Sequence, residues 1–498
     1  MQARNHGAVS AAFSTAPETR PSTHAWQVAI VGAGFSGTAL AIQLLKEATS
    51  AASARPMRIT LVDPRPEIGA GVAYATRDYP YPLNVAAGQM SVDGSRPGDF
   101  LDYLKTQGIH AVPGDYLPRQ VYGDYLRTRL AEARAAAPSN VECVHRRASA
   151  WQLRRNDDRW LLWLDDGTPL TANDVALALG NPPPAIPPEL AHLAHSRRYI
   201  SDPWSIGTLA NQEDIGSVLL VGSGLTMIDA ALRLAALRPR VRHIHVLSRH
   251  GLMPESQAAT ALPAIKPDVA SALEAARGST RRLVRAFRSL TATVGKAGGD
   301  WREVLGLARG QLAAQWRALD QTQRARFLRH ARSSWEVNRH RVPAGPLGAV
   351  RSLARAGVLE VHAGRLEEAS ELEDSMEVIW RPRGATRTRA WLVDRIINCT
   401  GPERRAGRVA DPLVQSLLSS GTIRADALSL GIDIADDGRP ISRDGAPVDR
   451  LYYLGPWLRA RDWEATAVPE LREHAAGLAR SLARRHLVES VQENLQEK

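Results

Sequence analysis

The 498-residue chain reads as an α/β protein with two parallel-sheet domains and one helical insertion, and three observations lead there. An apolar strand running into a glycine-rich turn and then a helix occurs near the start, and the same succession returns about 190 residues later. Each helix leads to another apolar strand, so each occurrence opens a βαβ unit, which needs its own sheet to complete it. Segment 256–345 instead carries the 3.6-residue apolar period of packed helices. The expected architecture is therefore two Rossmann-like units, each a three-layer ββα sandwich, with the helices inserted into the second.

Residues 1–25, rich in Ala, Ser, Thr, Pro and Arg, contain no apolar core of a signal peptide and read as a disordered tail. Gln27 to Val31 is the first strand, Gly32-Ala33-Gly34-Phe35-Ser36-Gly37 the turn and Thr38 to Lys46 the helix. The strand Arg58 to Val62 then ends on Asp63. This unit is expected to span 26–205 and to be completed by 400–490. The second begins with the strand Val218 to Val221, the turn Gly222-Ser223-Gly224 and a helix from Met227 to Ala236. Its next strand, Val241 to Leu247, ends in Ser248-Arg249, giving an expected span of 206–255 plus 346–399. In the insertion, Trp301, Leu305, Ala308, Leu312, Trp316 and Leu319 form one apolar stripe. Later strands are expected at Val358 to His362, Met376 to Trp380, Trp391 to Cys399 and Leu451 to Leu454, with a closing amphipathic helix from Glu470 to Leu487.

Composition narrows the function classes. An apolar content of 44% is ordinary for a globular chain, and no run approaches the roughly 18 apolar residues of a spanning helix. A cytoplasmic protein without a membrane partner is the expectation. The two cysteines, Cys143 and Cys399, form no Cys-x-x-Cys pair, which argues against zinc and dithiol chemistry, and no metal is expected. The net charge of +11 is concentrated: residues 274–341 hold 15 Lys or Arg against 5 Asp or Glu. Such a run is more often a solvated helical face than a nucleic-acid surface, so no nucleic acid is expected.

The glycine turns have a chemical use. Gly32 permits the tight turn, Gly34 lets backbone approach a pyrophosphate, Gly37 allows close helix packing, and free N–H groups at the helix start, around Phe35 and Ser36, hold the phosphate. Asp63 would accept from a ribose hydroxyl and repel a 2′-phosphate, which selects FAD or NAD at the first turn. In the second turn, continued by Leu225 and Thr226, Met227 replaces the third glycine. Arg249 stands where the acid would be, and a guanidinium there suits a 2′-phosphate, favouring NADPH over NADH. Two further strands run into a small residue and glycine, at Ala176-Leu177-Ala178-Leu179-Gly180-Asn181 and at Ile397-Asn398-Cys399-Thr400-Gly401-Pro402. Such turns suit crossings between two nucleotide domains.

With these residues the chain resembles the two-dinucleotide-binding flavoprotein superfamily, and more narrowly its YdhS-like FAD/NAD(P)-binding members. The narrower likeness rests on Gly69-Ala70-Gly71-Val72-Ala73-Tyr74, Leu83-Asn84-Val85 with Met90-Ser91, and Pro118-Arg119 with Tyr122-Gly123. It continues through Gly180-Asn181-Pro182-Pro183, Asp202-Pro203-Trp204 and Gly222 to Thr226 with Asp229. Its last parts are Ser248 to Gly251, Asn338 to Arg341, and Trp463-Glu464 with Val468 to Arg472. The layout is similar to that of class B flavin monooxygenases, which implies FAD, hydride supply by NADPH or NADH, and oxygen activation on the flavin. By that resemblance Tyr74, Asn84 and Met90 lie along the flavin, with Gly180, Gly401 and Gly455 near the cofactors. Asn84, Gln89, Arg339 and His340 are the catalytic candidates. The family's acidic residue after Gly455 is replaced by Pro456, with Asp462 or Glu464 as nearby acceptors. Tyr74 and Met90 also fit plain core packing, and the Arg339-His340-Arg341 run also fits a solvated cluster. The expected substrate is a small molecule, anionic or amine-bearing, with N-hydroxylation of an amine or amino acid as the analogy. A reductase without oxygen insertion, or a regulatory protein with structural flavin, would use the same motifs.

Overall fold

The computed structural model describes residues 25–51, 56–211, 215–237, 241–257 and 267–496, so all but the last residue of the expected tail lies outside the described residues. In chain order the strands are β1 (Trp26–Val31), β2 (Met57–Val62), β3 (Val141–Arg146), β4 (Ala150–Asn156), β5 (Arg159–Leu164), β6 (Leu170–Ala172), β7 (Asp174–Leu177) and β8 (Tyr199–Ile200). They continue as β9 (Ser217–Val221), β10 (His243–Ser248), β11 (Leu359–Glu371), β12 (Met376–Pro382), β13 (Arg389–Val393), β14 (Arg395–Asn398) and β15 (Leu451–Tyr453).

The first sheet has the order β15-β7-β1-β2-β3 and is parallel throughout. All six residues of β1 are buried, as a parallel strand covered on both faces requires. Helix Phe35–Ala51 covers the sheet, and the long C-terminal helix Val468–Gln496 packs along it, bringing the chain end back to the first unit. The second sheet runs β13-β12-β11-β10-β9-β14-β8, parallel from β8 to β11 and antiparallel beyond. β11 serves both halves: Leu359 to Ala363 pair with β10, and Gly364 to Glu371 pair with β12.

Three features depart from the expected elements. The stretch read as one strand from Trp391 to Cys399 is two, broken at Asp394, whose carboxylate accepts from the Gly216 and Ser217 N–H groups at 2.7 and 2.8 Å and pins the start of β9. β8 pairs with β14 in the second sheet although it lies within the span assigned to the first unit. Residues 150–172 form a small antiparallel sheet, β4-β5-β6, whose middle strand alternates between half-buried and buried positions.

The insertion is a set of short helices, and its stripe is real but interrupted. Helix Trp301–Ala308 and helix Leu312–Ala318 are joined by a 3-10 turn, and Leu305, Ala308, Leu312, Trp316 and Leu319 are all buried. Trp316 and Leu319 pack against Leu430, Ala460 and Trp463, so the insertion docks on the segment that closes the first unit. Trp316 also donates to the Ala460 carbonyl at 3.0 Å. Replacing Trp316 by Ala should cost about 3–5 kcal/mol of cavity and lost burial. Limited proteolysis should then cut the insertion well before the two sheets.

Candidate functional site

The two glycine turns are built alike. Gly32 N–H donates to Val62 at the end of the neighbouring strand and Gly222 N–H to Leu247, both at 2.8 Å. Gly32 has φ +99° and Gly222 +110°, conformations that side chains rarely adopt. A Cβ on Gly32 would stand 2.3 Å from the Ala178 carbonyl oxygen, and one on Gly222 2.5 Å from that of Cys399. The two small-residue crossings seen in the sequence therefore abut the two turns pairwise. They are anchored alike, by Ala178 N–H to Val31 and Cys399 N–H to Val221, each at 2.8 Å.

Both turns open on one cavity of 1590 Å³, larger than the usual small-molecule pocket of about 300–1,000 Å³. From the first turn Gly32, Gly34, Phe35 and Ser36 line it, followed by Asp63 and the segment Ala70 to Tyr74. Asn84 and Met90 lie on the wall with Leu83 and Val85, and Gly180 and Gly401 enter from the two crossings. Gly222, Gly224, Leu225, Thr226 and Arg249 form the side belonging to the second turn. A Cβ on Gly34 would meet only Gly71 Cα at 3.5 Å, and one on Gly224 nothing within 4 Å, so at both turns backbone faces open space. That is what a dinucleotide pyrophosphate requires, and the residues present fit two such groups.

Asp63 is almost wholly buried and already engaged. Its Oδ2 accepts from Ala33 N–H at 2.8 Å, and Arg65 clasps both oxygens, Nε to Oδ1 at 2.8 Å and Nη2 to Oδ2 at 2.6 Å. Burial opposes its ionisation, but Arg65 and the Ala33 N–H outweigh burial and hold the carboxyl below its ordinary value. Arg65 lines the cavity with Asp63, so a guanidinium stands beside the acid there, while its Nη1 is buried without a partner among the described residues. Sequence reasoning passed over Arg65, although it stands two residues beyond the acid.

Four named candidates do not line the cavity. Gly37 packs instead, a Cβ there lying 1.9 Å from the Gly32 carbonyl oxygen. Gly455 stands behind Pro456, which does reach the wall. Gln89 is held at its amide oxygen by Arg309 at 3.1 Å, and Arg339 pairs with Glu464 at 3.0 Å. Asp462 and Glu464 are spent in the same way: Asp462 takes Arg317 at 2.6 Å, and Glu464 takes Trp335 and Arg339. All are ties between the insertion and the first unit, and they supply no acceptor to the cavity. Arg341 also turns aside, to Gln257 at 3.0 Å.

His340 does line the cavity, and with it come residues the motif had not included. Arg332, Ser333, Glu336, Val337 and His340 present one helical face, the i, i+4, i+8 spacing that was the available signal. Glu336 accepts from Arg459 and lies 2.9 Å from His340, 3.7 Å from Arg332 and 4.0 Å from Arg404. Burial would raise its pKa, yet His340, Arg459 and Arg332 prevail and hold it at about 2, so Glu336 is ionised at neutral pH. Both thiols are buried, and burial raises their pKa values, Cys143 to about 12. Neither should react with a thiol reagent before denaturation, whereas rapid labelling of the folded protein would contradict this burial. Away from the cavity, His245, Glu360 and His362 place ligand-type atoms within 4.8 Å of one another on β10 and β11.

Residues 29–182 match the model of an FAD-NAD(P)-binding family. No curated protein is significantly similar in sequence. Among solved structures, the fold is similar to that of L-lysine 6-monooxygenase from Pseudomonas syringae, at 16% identity and a TM-score of 0.63 over 92% of this chain and 99% of that one. The FAD-bound cadaverine monooxygenase of Erwinia amylovora gives 12% and 0.63 over 92% and 94%. An ornithine N-hydroxylase from Kutzneria sp. 744, with reduced FAD, NADP⁺ and L-ornithine, gives 15% and 0.59 over 93% and 99%. The chain thus shares the fold of these structures, α/β with two Rossmann-like units. No helix among the described residues is long and apolar enough to cross a membrane.

Proposed function

We propose that the protein is an FAD-dependent, NAD(P)H-using oxidoreductase of the monooxygenase type that N-hydroxylates a small amine or amino acid. The observation that carries the reading is that two pyrophosphate-type turns, Gly32 to Ser36 and Gly222 to Thr226, open on the same cavity. Two separate nucleotide sites would need no shared space. The matched FAD-NAD(P)-binding family model and the named activities of the similar structures support the choice of cofactors and reaction.

The flavin, when bound, supplies the redox chemistry, taking hydride from the nicotinamide and reacting with oxygen. The chain does the rest. N–H groups at the start of helix Phe35–Ala51 hold the first pyrophosphate, while Asp63 and Arg65 address its adenosine end. N–H groups at the start of helix Leu225–Ala235 hold the second pyrophosphate, and Arg249 reaches its 2′-phosphate. Asn84 presents an amide, and Leu83, Val85 and Met90 keep water from the wall. His340, fixed by Glu336 at 2.9 Å, can hold or pass a proton at its ring.

Anaerobic stopped-flow mixing of flavin-loaded protein with NADPH tests this. The flavin bands should bleach rapidly, and oxygen plus an amine substrate should then produce a transient absorbance and a hydroxylamine product. Direct return to oxidised flavin with every amine would leave a plain reductase, and absence of bleaching with NADPH and NADH would defeat the redox reading.

A further inference from the structure

The part of the cavity wall around Glu336 carries more positive charge than one carboxylate can neutralise. Arg332 comes from the insertion, Arg404 from the segment after Gly401-Pro402, and Arg459 from the segment after Gly455-Pro456. All three converge on Glu336 and line the cavity. His340 adds a fourth nitrogen group, and the Arg332 pKa is lowered by burial, which Glu336 opposes and the charges of Arg459 and Arg249 reinforce. Arg459 is 9% exposed and held over the Trp463 ring at 4.0 Å, yet its Nε is buried without a partner among the described residues. The same is true of Arg404 Nη1. These two nitrogens are closed off from solvent, so an oxyanion would meet the remaining guanidinium N–H groups of the side chains that line the cavity, as charge-assisted donors.

We propose that Arg332, Arg404 and Arg459 form an anion subsite that selects a small amine bearing carboxylates in excess of its ammonium group, an acidic amino acid. This deepens the proposed function and rests on it. Three guanidiniums around one glutamate leave a local surplus of two positive charges, which suits a carboxylate pair and repels the side-chain cation of a lysine, ornithine or diamine. The neighbouring structures named for those basic substrates share the fold at 12–16% identity, too distant to carry their pocket charge over. Glu336 keeps the three side chains together in the free protein and fixes their spacing. The insertion thereby acquires a task, since one of its helices supplies Arg332 and Glu336, with His340 just past its end.

An oxyanion at this cluster has two sources, the carboxylates of a substrate or the 2′-phosphate of the nucleotide, and calorimetry on flavin-loaded protein separates them. L-Aspartate and L-glutamate should bind at least tenfold more tightly than L-lysine, L-ornithine or cadaverine, with or without NADP⁺ present. Arg404→Gln should weaken acid binding at least tenfold, leave NADP⁺ binding unchanged, and be partly rescued in Arg404→Lys. Tighter binding of the basic amines, or no heat with either acid, overturns the subsite. A parallel loss of NADP⁺ affinity in Arg404→Gln assigns the cluster to the nucleotide instead. None of these readouts needs turnover, so failed flavin bleaching would defeat the redox reading while the anion subsite is still decided by binding.

Discussion

Gly34→Val should yield folded protein that purifies without flavin. A Cβ at this position meets only Gly71 Cα at an ordinary 3.5 Å, and Gly34 lacks the positive φ that strains other residues, so the turn itself tolerates a side chain. The branched methyl groups, however, occupy the space through which a pyrophosphate reaches the first N–H groups of helix Phe35–Ala51. Affinity should fall at least 100-fold, about 2.8 kcal/mol or more at roughly 1.4 kcal/mol per decade. The flavin-to-protein ratio after purification measures this, and a second readout is melting with and without added FAD, which raises the melting temperature only if it binds. Gly37→Ala is the contrasting case: its Cβ would lie 1.9 Å from the Gly32 carbonyl oxygen, so that variant should lose the fold together with the flavin. Stoichiometric flavin in Gly34→Val would remove the first turn as the pyrophosphate site.

Arg249→Ala should raise KM for NADPH about 10–100-fold and leave KM for NADH within twofold. Arg249 is exposed on the cavity wall at the end of β10. The loop that bears it is fixed by Ser248, whose Oγ accepts from Ser223 Oγ at 2.8 Å and from Gly251 N–H at 3.0 Å. A guanidinium so placed makes charge-assisted hydrogen bonds, worth about 1.5–3 kcal/mol, to a 2′-phosphate and has nothing equivalent to hold in NADH. Because the phosphate is remote from the reacting atoms, kcat should change little, and the effect belongs in KM. Equal effects on the two nucleotides would sink the assignment.

What could be read along the chain and what could not divides by the range of the interaction. Gly32 to Gly37 and Gly222 to Gly224 were legible because a strand, a tight turn and a helix start lie within about ten residues, where backbone sterics act directly. The crossings at Ala178 and Cys399 were legible as small-residue strand ends, but their abutment on Gly32 and Gly222 spans 146 and 177 residues and appears only in three dimensions. Arg339 shows the limit well. Its motif was visible, yet helix phase turned it toward Glu464, while Arg332, Glu336 and His340, on the other face, reached the cavity.

Sequence alone determined the class of this protein: two βαβ starts, each with the glycine its own turn demands, and no dithiol for competing redox chemistry. Tertiary structure decided which charges meet. Asp63 is clasped by Arg65, and Asp462 and Glu464 are spent on the insertion. Three arginines from three distant segments surround Glu336. The physical reason is that backbone conformation is dictated by neighbours in sequence, whereas the partner of a long charged side chain is dictated by neighbours in space.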